Sequence, residues 1–197
     1  MTAHASSPTA LTRRLVVAAV ATAAIAASVV TAPAGATPTT RGCAAQGAPT
    51  LTLGRPDGVR VDVPAAPGWR QAVSEPESSG TRLGRIESSD DTDSFYATFG
   101  VIKEPQRYGT SEKFAALITR GVVSRHASSG PCGLPTTTVA TRYVEAKTKR
   151  PVADINKVTV FELGGQTVAL TVTVATYDES RLPQLERDLL NRYGITL

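Results

Sequence analysis

Two alternating runs joined by a pair of glycines constrain this chain more than any other feature. From Thr167 to Tyr177, Val168, Leu170, Val172 and Val174 fall on one side while Thr167, Thr171 and Thr173 fall on the other, the period of two of a strand with two unlike faces. Ile155 to Leu163 carries the same strand character. Gly164-Gly165 between the runs is a tight hairpin signal, because the favoured two-residue turns place their central residues at positive φ. The segment is therefore expected to form an antiparallel pair, and the rest of the chain must supply partners for its edges and cover for its apolar face.

Further strands follow from the same reasoning. Val59, Val61 and Val63 alternate with Arg60 and Asp62 until Pro64 ends the run. Pro67-Gly68-Trp69 forces a turn that lays the sole tryptophan back toward the domain. Strand character recurs over Arg82 to Glu87, Phe95 to Lys103 and Thr137 to Lys147, the first two separated by the acidic turn Asp90-Asp91-Thr92-Asp93. Ser111 can cap a helix whose Phe114, Leu117, Ile118 and Val122 recur at spacings of three and four, predicting a helix to about Ser128. Ser180 can cap a closing helix with Pro183 in its first turn, a buried stripe of Leu182, Leu185 and Leu189, and Gly194 as its stop. Three consecutive strands between two helices indicate an α+β domain over residues 50–197, mainly an antiparallel sheet layered between helices.

Residues 1–36 read as a cleaved export signal. Arg13 and Arg14 form the positive start, Leu15 to Val30 is almost wholly small and apolar, and Ala34-Gly35-Ala36 offers a small-x-small cleavage site. A retained membrane anchor is disfavoured by the scarcity of Leu and Phe in the run and by the small residues that follow it. Arg13-Arg14 also faintly matches a twin-arginine signal. Cys43 is a poor lipid-acceptor cysteine because Thr40-Arg41-Gly42, with a charge, precedes it. The expected location is secreted or extracellular, with cell-wall association left open, and no transmembrane anchor persists after cleavage. Thr37 to Pro49 lacks periodicity and is expected to be a disordered arm. In an oxidising compartment the two cysteines, Cys43 and Cys132, are expected to form a disulfide that pins this arm. Closing a loop of about 90 residues would stabilise the fold by roughly 4–5 kcal/mol in the chain-entropy model.

The chain has 21 basic and 17 acidic side chains, and losing Arg13 and Arg14 leaves 19 against 17, so no basic stripe speaks for nucleic acid. His126 is the only histidine after residue 36, and a helix end would suit its charge. As a general base it would need a nucleophile and an orienting acid, and Ser124, Ser128 and Ser129 lack the glycines of a nucleophile elbow. One histidine and two paired cysteines leave zinc without ligands. Glu87, Asp90, Asp91 and Asp93 do not fit an EF-hand loop and read as a solvated hairpin tip. The basic turn Lys147, Lys149 and Arg150 reads as a solvated loop. No metal site or cofactor is expected. A groove lined by Trp69, Tyr96, Tyr143 and Phe161 is the candidate ligand site, set against the alternative that these aromatics are simply core.

The run Val61-Asp62-Val63-Pro64 followed by Pro67-Gly68-Trp69, the strand Tyr96-Ala97-Thr98-Phe99-Gly100-Val101, and the paired strands with a closing helix resemble the actinobacterial LpqN/LpqT family of exported envelope proteins over about Val59 to Leu197. That resemblance implies an α/β/α layered fold similar to Mog1 and PsbP proteins, and no catalytic motif. Many members are lipoproteins, a property the surroundings of Cys43 do not support here. The expected function is non-enzymatic binding of a partner protein or an envelope lipid. The alternatives are a secreted hydrolase centred on His126 and a structural or host-facing surface protein.

Overall fold

The computed structural model describes residues 42–47, 50–54, 58–64, 67–72 and 82–197, all within the unit Thr37–Leu197. The expected signal segment, residues 1–36, lies outside the described residues.

Ten strands form two antiparallel sheets. The larger has seven strands in the order β3 (Trp69–Gln71), β4 (Arg82–Ser88), β5 (Asp93–Val101), β9 (Gln166–Thr176), β8 (Pro151–Leu163), β7 (Pro135–Val144) and β6 (Val122–Ser129). The smaller has three, β1 (Thr50–Gly54), β2 (Arg60–Pro64) and β10 (Gly194–Thr196), with β2 in the middle. The expected hairpin is at the centre of the larger sheet: β8 and β9 pair from Ala153↔Thr176 to Leu163↔Gln166. Gly164 and Gly165 turn it with φ of 58° and 78°, the left-handed conformation that glycine adopts without steric cost.

The two faces of this sheet differ. Val168, Leu170, Val172 and Val174 of β9 join Ile86, Phe95, Ile155 and Phe161 on one face. Leu53, Val61 and Val63 of the smaller sheet cover it, as do Leu185, Leu189, Leu190, Tyr193 and Ile195 from the C-terminal region. Phe95 meets Tyr193 edge-to-face at 6.4 Å. The closing helix is short, with α3 (Leu182–Leu185) continuing as a π-helical turn over Glu186–Leu190. Asp178, rather than Ser180, caps the 3-10 turn that leads into it, accepting from the Ser180 amide at 3.1 Å.

The other face is covered only in part. After the single turn α1 (Pro105–Tyr108), α2 (Ser111–Ala115) sets Ala115 against Val139 and Val158, with Phe114 and Ile118 beside them. Ser111 ties this helix to the sheet: its Oγ donates to the Pro135 carbonyl at 2.8 Å and accepts from the Val160 amide at 3.0 Å. The result is a sheet-dominated α+β fold.

Three sequence expectations are corrected. The helix expected from Ser111 to Ser128 stops at Ala115, and Val122–Ser129 is instead the edge strand β6. Gly121 sets the entry into that strand: its φ is 62°, and a Cβ there would lie 2.0 Å from the Arg142 carbonyl, so the chain turns close against β7 before two β-branched valines begin β6. Gly194 does not end a helix but opens β10, which pairs with β2. Within the arm expected to be disordered, residues 42–47 are bound to β10: Cys43 and Ile195 exchange backbone hydrogen bonds of 2.8 and 2.9 Å, and the Gln46 amide donates to the Arg192 carbonyl at 2.8 Å. Gly42 and Gly194 permit this crossing, since a Cβ on either would fall within 2.2–2.3 Å of the other strand's backbone. The Cys43–Cys132 disulfide forms as expected, with Cα atoms 5.4 Å apart.

Replacing Gly121 by Ala discriminates the two readings of this region. In a helix the change would stabilise by up to about 1 kcal/mol. Here it forces a left-handed alanine into a carbonyl, so we expect a loss of at least about 1–2 kcal/mol and faster amide exchange across Val122–Ser129 than in β8 and β9. Increased helical circular dichroism would contradict the strand.

Candidate functional site

The face shared with α2 is left open toward the other end of the sheet, and the strand registers place polar residues there. One cross-strand row runs Thr141, Asp154, Ala175, Ser94 and Glu87; the next runs Val139, Asn156, Thr173, Tyr96 and Arg85. Asp154 is 4% exposed. Its Oδ1 accepts from Thr141 Oγ1 at 2.6 Å and from Asn156 Nδ2 at 2.8 Å, and Thr173 Oγ1 donates to Asn156 Oδ1 at 2.8 Å. The chain of bonds locks the amide orientation of Asn156.

Beside this network lies a cleft of about 190 Å³ lined by Arg82, Arg85, Asp91, Asp93 and Glu145 together with Tyr96, Tyr143 and Tyr177. Each tyrosine carries a guanidinium over its ring: Arg82 over Tyr96 at 5.9 Å, Arg120 over Tyr143 at 4.4 Å and Arg150 over Tyr177 at 3.7 Å. Arg150 thus leaves the solvated basic turn to brace the cleft rim, and the Tyr177 hydroxyl donates to Glu145 Oε2 at 2.8 Å. Tyr143, Val152 and Tyr177 are shared with a more apolar shelf of about 390 Å³, lined also by Val144, Pro151, Ala153 and the paired Arg142 and Glu179. Val144 on this shelf is 56% exposed.

Burial is the dominant influence on the site's ionisable groups. It raises the Asp154 carboxyl above its ordinary value of 3.8, against the opposing effect of the hydrogen bonds from Thr141, Asn156 and Tyr143. It raises the Tyr143 phenol to about 12, with the negative charge of Asp154 adding to the shift. Tyr96 moves upward for the same two reasons. At neutral pH both phenols are therefore protonated hydrogen-bond donors and not bases.

The four aromatics expected to line one groove are divided between the faces. Tyr96 and Tyr143 share the cleft. Trp69, opposite Ser88 on β4, packs half-buried against the apolar core, and Phe161 is buried in that core. Both of these lie on the covered face, about eight residues apart along the strands, or roughly 27 Å. The strand parity separates them: Tyr96 lies opposite Thr173, whereas Phe161 lies opposite Val168. Asp154, Asn156 and Thr173 are the residues that the sequence reading passed over. Their signal was two polar residues at i and i+2 within a long strand, opposite a threonine stripe in its partner.

His126 lies exposed on β6, not at a helix end. Ser124 and Ser128 stand two residues to either side of it on the same strand face. Ser128 Oγ lies 2.7 Å from Thr138 Oγ1. The acidic turn is tied up by arginines: Arg181 contacts Asp90 at 3.2 Å and Asp93 at 2.6 Å, and Arg70 contacts Asp91. Asp90 is lowered to about 2, chiefly by the Ser88 hydroxyl and the Thr92 amide. Among the described residues no group of three or more His, Cys, Asp or Glu side chains is placed to hold a metal ion, and no helix is long and apolar enough to cross a membrane.

The fold and this site define a sheet-dominated α+β domain with a polar cleft on one face. Among solved structures it is similar to LpqN, a protein involved in cell envelope biogenesis of Mycobacterium tuberculosis. The match covers 76% of this chain and 91% of that chain, at 14% identity and a TM-score of 0.53. The likeness is one of fold. No protein-family model matches the chain, and no curated protein matches it.

The Asp154 carboxyl gives a pH test. Because its folded value is raised, the folded state holds the proton more tightly than the unfolded chain, so Asp154 costs stability as pH rises through the folded value. Asp154→Asn should match the parent below about pH 4 and gain on it progressively above that, as read from thermal unfolding midpoints. A difference that does not change with pH would rule out a raised carboxyl.

Proposed function

We propose that this is an exported envelope protein that binds, without chemically altering it, an envelope lipid with a polar head group. The observation that carries the reading is the continuity of two unlike surfaces: the arginine- and tyrosine-walled cleft opens directly onto the apolar shelf, with Tyr143, Val152 and Tyr177 common to both. A polar head group in the cleft would meet the guanidiniums of Arg82 and Arg85 and the carboxylates of Asp91 and Glu145, while an acyl chain would lie along Val144, Pro151 and Val152. Such a layout suits an amphiphile better than a protein surface, which would require a broad, flatter interface.

The envelope assignment draws on the export-like leader, the Cys43–Cys132 disulfide and the fold likeness to LpqN. Membership of the LpqN/LpqT family, with its Mog1/PsbP-like sandwich, is part of the same proposal. The non-enzymatic reading follows from the site's acid–base character: Asp154 is engaged from below by Thr141 and Asn156, and the phenols beside it hold their protons at neutral pH.

Calorimetric titration with detergent-dispersed envelope lipids tests the proposal. Arg85→Ala and Tyr143→Ala should each weaken binding by about 10- to 100-fold, the effect of losing a hydrogen bond to a charged group, while Trp69→Phe should bind as the parent does. The lipid should be recovered with unchanged mass. Absence of lipid binding, parental affinity in both cleft variants, or a cleaved lipid would overturn it.

A further inference from the structure

On the covered face, the β8 stripe runs Ile155, Lys157, Thr159 and Phe161, and packing does not explain the lysine. Lys157 is 5% exposed. Its Nζ donates to Asn191 Oδ1 at 2.6 Å, and among the described residues no carboxylate lies at ion-pair distance; Glu186 acts on it only through space. A buried ammonium has three donors and calls for a counter-charge, and here one donor is satisfied, by a neutral amide. Burial accordingly pulls the Lys157 pKa down.

Lys157 borders a cavity of about 470 Å³, separate from the lipid cleft and on the opposite face of the sheet. The Cys43–Cys132 disulfide walls it on one side, and Leu190 and Pro131 supply further apolar surface. Asn191, with its oxygen taken by the lysine, has its Nδ2 donors left to offer. Tyr193 also lines the cavity; its hydroxyl is buried near Thr159 without a well-formed hydrogen bond. The polar groups are thus weighted toward donors, with one buried positive charge and no acid among the lining residues.

We infer that this cavity is a binding site for a small organic acid, whose carboxylate is held by Lys157 Nζ and Asn191 Nδ2 and whose apolar body lies along Leu190 and the disulfide. Inorganic phosphate would satisfy the charge but leave the apolar wall bare.

The test titrates disulfide-intact protein separately with hexanoate, hexanol and inorganic phosphate, followed by calorimetry and by the side-chain amide resonances of Asn191. Hexanoate should bind saturably and shift those resonances, with hexanol and phosphate at least about tenfold weaker. Lys157→Met should abolish hexanoate binding. Because that substitution also alters a buried position, Asn191→Asp serves as a second variant: it places a carboxylate against the ammonium, and should cut hexanoate affinity at least about tenfold while the thermal midpoint holds or rises. Failure of hexanoate to bind, unchanged binding in Asn191→Asp, or hexanol or phosphate binding as tightly as hexanoate would each overturn the inference. Tyr143→Ala should leave hexanoate binding unchanged, which separates this site from the lipid cleft.

Discussion

The central hairpin of β8 and β9 organises the molecule, because each of its long strands presents opposite chemistries to its two sides. On one side the valines and leucine of β9 demand cover, and the three-stranded sheet and C-terminal helix provide it. On the other side Asp154, Asn156 and Thr173 form a hydrogen-bonded row that an apolar cover would strand. The same alternation that builds the core therefore keeps part of the opposite face open. The short α2 is enough to seal Val139 and Val158, and the cleft begins where that apolar pair ends.

A buried carboxyl in the middle of a sheet is a costly choice for stability alone. Thr141 and Asn156 recover part of the lost hydration, and the direction of the Asp154 shift shows that burial still prevails. Lys157, one strand face away, has the same character with the opposite sign. The two lie three residues apart on β8 and point to opposite sides, so neither neutralises the other across the sheet. Buried charged groups held without a counter-charge in this way are positions at which a ligand gains most by supplying what the protein withholds.

Much of the sheet was legible because alternation and turn chemistry agree: the β2 valines, the β8–β9 pair and its double glycine all follow from period two and local backbone preference. The disulfide was legible from counting alone. The failures share a cause, which is that the deciding contacts are distant. Phe114, Leu117, Ile118 and Val122 fit a helical stripe well, and only the approach of Arg142 to Gly121 turns the chain into an edge strand. Gly194 resembles a helix stop until Cys43 is seen crossing it. The aromatic groove failed by parity, since residue type gives no indication of which face a side chain takes. The cleft's own residues were visible as an Asp-x-Asn pattern, and their meaning depended on knowing that Thr141 and Thr173 lie opposite.

The smaller sheet joins segments from far apart in the chain. Thr196 Oγ1 donates to Asp62 Oδ2 at 3.2 Å, and Ile195 is bonded to Cys43, so β2 remains half-paired until residues beyond 190 arrive. Contacts of such long range form late, after most of the loop-closure entropy has been met elsewhere. A chain emerging from a ribosome or a translocation pore in N-to-C order would thus hold β1 and β2 in waiting, their valines uncovered, and the cysteine bridge would close over a fold whose final strand has only just appeared.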